Sequence, residues 1–440
     1  MAFFDVAIVG AGPAGLGACL KAASLGLNVA LIERRSRLSP ITRACSEGLL
    51  YEEPYNGDAI RVNREKGLIE FVNSGFSLRY TGPVREVPYF ANISYRGNRM
   101  KIVRDDGKPI HLVFDKGRYL EENLEDAIKA GVSFFPDRTV VDLDDTQQGI
   151  NIRTDKDSLQ ARFLIAADGH NSVCARIAGF NLERQFYGTL TGACWHIKGA
   201  TPEDAAHIHL LEGKDDPSVF CMCPRVDDGE FSVMISGFSP DPRYAERFEQ
   251  VRHNSILSPI FKQGVVVQRE LACVLNLFQP LSNPCRDNIF IVGDAAWLGQ
   301  TSNSHAALTG AKAAECIGEA LQGSGTGEDV YQNYRKWWEE NFVSYAKVPG
   351  GGNIFEELSR DEIDELFSYM PAEIPGSMES RKAKQLMAAF FQKLIPEMQG
   401  KSPALVQKIL SVQQKTVDDA WAQKRKQGIP VRQKLRKEKG

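Results

Sequence analysis

An apolar run from Val6 to Val9 passes without a spacer into Gly10, Gly12 and Gly15, and then into the helix-forming stretch Leu16 to Ala23. That order of strand, glycine turn and helix leaves few folds open, because it is the phosphate cradle of a dinucleotide-binding βαβ unit. Gly10 permits the tight turn, Gly12 lets backbone approach a pyrophosphate, and Gly15 lets helix and strand pack closely. Pro13 and Ala14 open the helix, whose first turn presents free amides to an anion. A second apolar strand, Leu27 to Ile32, ends at Glu33, 18 residues beyond Gly15, with Arg34 next to it. A carboxylate at that distance grips ribose hydroxyls and repels a ribose 2′-phosphate. The unit therefore reads as FAD or NAD binding.

Two later motifs decide between these cofactors. Phe163 to Ala167 ends in Asp168-Gly169, with Ser172 and Arg176 at fixed offsets, and Asn288 to Val292 ends in Gly293-Asp294-Ala295-Ala296 ahead of a helix over Ala306 to Leu321. In order and spacing, the three motifs resemble the flavoproteins of the para-hydroxybenzoate hydroxylase fold, which include monooxygenases, geranylgeranyl reductases and quinone oxidoreductases. The resemblance implies FAD, with Asp294 bonding the ribityl chain, the helix after Gly293 aiming its amides at the flavin, and Asp168 anchoring a turn beside it. Both carboxylates also fit plainer roles as a helix cap and an Asp-Gly turn.

Arg43-Ala44-Cys45-Ser46-Glu47-Gly48 narrows the branch. It is similar to the Cys-Gly-Glu-Gly-like stretch that geranylgeranyl reductases lay against the isoalloxazine behind a basic residue, here Arg43; Ser46 departs from that pattern. Cys45 then tunes the flavin, touches substrate or donates a proton, or else is a small thiol without chemistry. Two further departures bear on the substrate. Where that family has an aromatic Tyr-x-Trp-x-Phe-Pro wall, this chain has Val219, Cys221 and Cys223 before Pro224, so these three become candidate substrate-lining residues, together with Trp297. Where the family has a proline and Gly-x-Gly after Gly-Asp-Ala-Ala, this chain has Trp297 to His305 with Ser302, Asn303, Ser304 and His305. His305 joins Cys45 as a candidate proton donor. The motifs of flavin halogenases and aromatic hydroxylases are not matched.

The expected fold is α/β: a Rossmann-like FAD-binding domain, discontinuous over 1–57, 113–180 and 270–330, with an inserted mixed β-sheet substrate domain over 58–112 and 181–269. A helical C-terminal region follows over 331–440. His207-Ile208-His209 puts two imidazoles on one strand face; with no third ligand nearby in sequence, it reads as a solvated face and no metal is expected.

Of the 440 residues, 43% are apolar and 25% charged, an ordinary globular composition. A net charge of −3 excludes a general nucleic-acid binder, which needs a basic footprint. Nine cysteines without regular spacing point to reduced thiols and a cytoplasmic setting, with neither signal peptide nor membrane span expected. Lys424 to Lys439 forms a basic tail, either a solvated end or a peripheral membrane contact. The resemblance implies an FAD-dependent oxidoreductase that reduces C=C bonds of an isoprenoid or other apolar substrate, a small molecule or a lipid. With one dinucleotide unit visible, its electrons come from a transient donor: NAD(P)H, ferredoxin or another flavoprotein. Electron transfer to a quinone, flavin-dependent hydroxylation and non-catalytic FAD binding are the alternatives.

Overall fold

The computed structural model describes residues 3–420, except 51–55, 147, 217, 239–242, 263, 298–301, 324–326, 348 and 351–352. The apolar runs become the centre of a parallel sheet. Strand Phe3–Val9 lies between Val29–Ile32 and Ser158–Ala166, with Ser133–Phe135 outside the former and Ile289–Ile291 beside the end of the latter. Val6 to Val9, Val29 to Ile32, Phe163 to Ala166 and Ile289 to Ile291 are apolar without interruption because helices or further layers cover both faces there. An antiparallel pair, Val140–Thr146 and Gly149–Thr154, extends the same sheet at the other half of Ser158–Ala166.

Helices Pro13–Ser24 and Asn303–Leu321 cross closely over this sheet. Their contact needs small residues on both sides: a Cβ on Gly17 would stand 2.4 Å from the Ala307 carbonyl oxygen, and one on Gly310 would stand 1.9 Å from that of Ala14. The crossing brings both helix N-termini to the same end of the sheet, beyond the carboxyl ends of the strands, where open α/β sheets bind their ligands.

A second, eight-stranded sheet runs in the order Val266–Phe278, Phe186–Lys198, Glu230–Gly237, Ser218–Pro224, His207–Leu211, Tyr89–Ser94, Arg99–Arg104, Glu373–Gly376. One face is packed against helix Tyr244–Asn254 through Trp195, Ile197, Phe220, Met222, Val233 and Ile235; the alternate residues face the first sheet. Its edge strand continues to Phe278, past the expected return near 270. The C-terminal region is helical at Gly327–Trp338, Arg360–Tyr369, Ser380–Gln399 and Pro403–Gln414, yet it also supplies the edge strand Glu373–Gly376 to the second sheet. The basic tail lies outside the described residues.

Candidate active site

Between the two sheets lies a cavity of about 930 Å³. At one end are Gly10, Gly12, Pro13, Ala14, Glu33 and Arg34. Gly10 has φ +100°, and a Cβ there would meet the Ala167 carbonyl oxygen at 2.5 Å. A Cβ on Gly15 would lie 1.8 Å from the Gly10 carbonyl oxygen, so the helix meets the turn with no room for a side chain. Gly12 differs: a Cβ there would touch nothing within 4 Å, because its backbone borders the open cavity. Such a bare stretch of backbone at a helix start fits a pyrophosphate. Glu33 is buried; one carboxylate oxygen accepts the Ala11 amide at 2.7 Å and the other accepts from Arg35. It therefore ties the end of the second strand to the glycine turn.

Asp168 lines the same cavity, with its carboxylate committed to helix Val173–Ile177. It accepts from Ser172 Oγ at 2.5 Å and from the amides of Val173 and Cys174 at 2.7 and 3.1 Å. Burial pushes its carboxyl up, and those donors pull it back. Asp294 opens the short helix Asp294–Trp297 after Gly293, and it faces Arg43 at 3.4 Å. Arg43 also donates to His170 Nδ1 at 2.6 Å, while His170 Nε2 donates to the Val274 carbonyl at 2.9 Å. Burial and the Arg43 charge hold His170 down to about 4, so a neutral ring bridges the Asp-Gly loop, Arg43 and the second sheet.

Cys45 sits on the cavity wall in a loop that is held from below. Glu47 has φ +53°, which turns its buried carboxylate away from the cavity and onto Arg225 Nη1 at 2.5 Å. The same guanidinium nitrogen approaches His196 Nε2 at 3.0 Å, and His196, held down to about 4 by burial and the Arg225 and Arg269 charges, accepts as a neutral ring. The Glu47 carbonyl accepts from Phe114 and its carboxylate from the Lys116 amide. This scaffold leaves the Cys45 Sγ facing three donors: the Glu47 amide at 3.3 Å, Lys116 Nζ at 3.8 Å and Asn303 Nδ2 at 3.9 Å. Sequence reasoning missed Lys116, Asn303, His170 and Arg225. Lys116 and Asn303 lie far along the chain from Cys45, although His170 directly follows the Asp168-Gly169 pair.

The substrate-side wall differs from expectation. Leu190, Met234, Ser236 and residues Ala272 to Leu275 line it, with Phe90, His111 and His207 beyond. Val219, Cys221 and Cys223 share the cavity-ward face of the sheet and do not line the cavity. In the register Cys221 pairs with Met234 and Val219 with Ser236, so the wall lies one strand over. Val219 is 45% exposed, and burial pushes the Cys221 thiol up to about 12. Trp297 is likewise absent from the wall; it is 2% exposed and packs with Trp338 and Phe342 in the core. His305 is 1% exposed and also off the wall, with its Nδ1 at 2.7 Å from Ser302 Oγ. The reading of His207 and His209 as a solvated face does not hold either. Both rings pack against Phe90, 4.7 Å apart, and His111 from strand His111–Phe114 comes within hydrogen-bond reach of His207. A distant strand supplies what the local sequence could not.

Comparison with known proteins agrees with this geometry. Family profiles described as FAD binding domain match residues 92–306 and 5–51. A digeranylgeranylglycerophospholipid reductase of Methanopyrus kandleri is 25% identical over 389 residues, covering 84% of this chain and 91% of the relative. Among solved structures, a geranylgeranyl bacteriochlorophyll reductase-like protein of Thermoplasma acidophilum superposes with a TM-score of 0.69 at 20% identity, covering 94% of this chain and all of that one. The p-nitrophenol 4-monooxygenase of Pseudomonas putida superposes with a TM-score of 0.58 at 18% identity, over 93% and 98% of the two chains. Cradle, sheet order and relatives converge: the chain is an FAD-dependent oxidoreductase of the para-hydroxybenzoate hydroxylase fold, similar over most of its length to a digeranylgeranylglycerophospholipid reductase.

Proposed function

We propose that this protein reduces carbon–carbon double bonds in the isoprenoid chains of a polar lipid. The observation that carries the reading is one continuous cavity running from the glycine cradle, past Cys45, to an apolar wall of Leu190, Met234, Ala272 and Leu275. The curated relative with the reductase name, similar over most of both chains, supports the same substrate class.

In this reading Gly10, Gly12, Pro13, Ala14, Gly15, Glu33, Arg34, Arg43, Asp168, Gly293 and Asp294 hold FAD. Reduced FAD bound there supplies a hydride. Saturating a double bond also needs a proton, and Cys45 is the donor we assign: the thiolate left behind is stabilised by Lys116, the Asn303 amide and the Glu47 N–H. His305 acts at one remove, through Ser302 and the start of helix Asn303–Leu321. The leucine, methionine and alanine wall excludes water and holds the chain by area. Electrons reach the cofactor from a donor that binds transiently, either NAD(P)H or a protein. The basic stretch Lys424 to Lys439 supplies a peripheral contact with the anionic membrane that holds such a substrate.

The test starts from flavin reduced chemically without oxygen. Digeranylgeranyl lipid, a quinone analogue, or oxygen with the lipid is then added separately, and flavin absorbance and lipid mass are followed. Re-oxidation by the lipid with a gain of two hydrogens per double bond is expected. Re-oxidation by the quinone alone, or rapid oxygen consumption with hydroxylated product, overturns the proposal.

A further inference from the structure

Three groups that the proposed reaction does not use converge at the far end of the same cavity. His111 comes from strand His111–Phe114, His207 from His207–Leu211 and Cys223 from Ser218–Pro224. One ring nitrogen from each imidazole and the Cys223 Sγ lie within 4.8 Å of one another. The topology explains the meeting: the register pairing Ile208 with Met222 puts His207 beside Cys223, while the small three-stranded sheet folds His111 over both. We infer that His111, His207 and Cys223 form a zinc site on the cavity wall.

Hydrogen bonding shows what the cluster lacks. His111 Nδ1 donates to the Leu112 carbonyl at 3.1 Å, which fixes its tautomer and leaves Nε2 a bare lone pair. His207 Nδ1 stands 3.2 Å from that lone pair and must donate to it. The Nε2 of His207 is then a second lone pair, shielded from solvent and without a hydrogen-bond partner among the described residues. A buried acceptor with no donor is destabilising, and a cation bound at this lone pair would satisfy it.

Two histidines and a thiolate are a zinc donor set, and tetrahedral zinc with bonds of about 2.0–2.3 Å spaces its ligand atoms roughly 3.5 Å apart. The three candidate ligand atoms lie within 4.8 Å of one another, so a small inward movement of the side chains reaches that spacing. The Cys223 thiol gives its proton to solvent as the metal binds. Three protein ligands leave a fourth position, and since His111 and His207 line the cavity it opens there, for water or another oxygen ligand. His209 stays outside the set, with its Nδ1 at 3.3 Å from Asn92 Oδ1.

The flavin-loaded protein, stripped with a chelator, is titrated with Co²⁺ and separately with Zn²⁺, reading visible bands beyond the flavin absorption and zinc content per chain. One equivalent is expected, with the intensity of tetrahedral cobalt and a sulfur charge-transfer band. Cys223→Ser should abolish the charge-transfer band, and His207→Ala should weaken binding at least about tenfold. Cys221→Ser, one alternation away on the same strand, should bind as the parent does. FAD content shows that each variant is folded; should a variant lose it, the parent cobalt spectrum decides. An octahedral spectrum or no bound zinc in the parent overturns the site, as does unchanged binding in folded Cys223→Ser.

Discussion

The two ends of the cavity are built by opposite means. The cofactor end is mostly backbone: glycines whose missing side chains set the distances, two helix starts, and Glu33 locking turn to strand. The substrate end is mostly side chain, from strands Phe186–Lys198, Glu230–Gly237 and Val266–Phe278, with no conformation that demands one residue type. Backbone sites fail abruptly, because a Cβ cannot be trimmed, whereas side-chain walls yield by degrees as neighbours repack. Substitutions at the two ends should therefore differ in kind as well as size.

The largest effect is expected at Gly15. Gly15→Val would drive a side chain into the Gly10 carbonyl, and no rotamer relieves a Cβ placed 1.8 Å from backbone. The variant should yield no flavin-containing folded protein, as read by absorbance after purification. Gly12→Ala sharpens the contrast. Its Cβ meets no protein atom, so the fold should melt as the parent does without cofactor, while FAD affinity falls at least tenfold. Equal FAD affinity in that variant would remove Gly12 from the cradle.

Second in size is the scaffold under Cys45. Arg225→Ala leaves the Glu47 carboxylate buried beside a neutral histidine, and stranding one member of a buried pair costs about 3–5 kcal/mol. A drop in Tm should accompany lost turnover, whereas Glu47→Gln with Arg225→Met, which removes both charges, should recover most of the stability. If Arg225→Ala melts like the parent, the pair does not hold the loop. Cys45→Ser probes the loop's purpose. Lipid reduction should slow by about 10²-fold, the usual range for losing a proton donor, with FAD content unchanged. A parental rate with full flavin would exclude Cys45 as the acid.

Much of the cofactor end was legible because its residues are consecutive: strand, turn and helix fall within Val6 to Ala23, and each glycine answers a local steric demand. The remainder depends on chain segments that meet only after folding. Lys116 and Asn303 reach Cys45 from two different helices, and His111 reaches His207 from another sheet. Strand Glu373–Gly376 is too short and too proline-marked to signal itself, and Pro375 is tolerated there because the strand is an edge. The resemblance offered Val219, Cys221 and Cys223 as substrate-lining residues because they align with the aromatic wall of that family. Such an alignment carries no information about which strand of the sheet lies over the cavity in this chain.

That last point yields the smallest expected effect and the finest test. Met234 lies across from Cys221 on the neighbouring strand and reaches the cavity, while Val219 opposes Ser236 and opens to solvent. Shortening a wall residue removes apolar contact worth about 1.5–3 kcal/mol when fully buried, and Met234 is only half-buried. Met234→Ala should therefore raise the KM for lipid about tenfold with kcat little changed. Val219→Ala should alter neither beyond twofold. The reverse ranking would return the wall to the outer strand and require the chain of the substrate to lie over Cys221, directly toward the histidine cluster. The expected ranking would keep the chain of the substrate over Met234 and Leu190 and off the strand that carries Cys221 and Cys223.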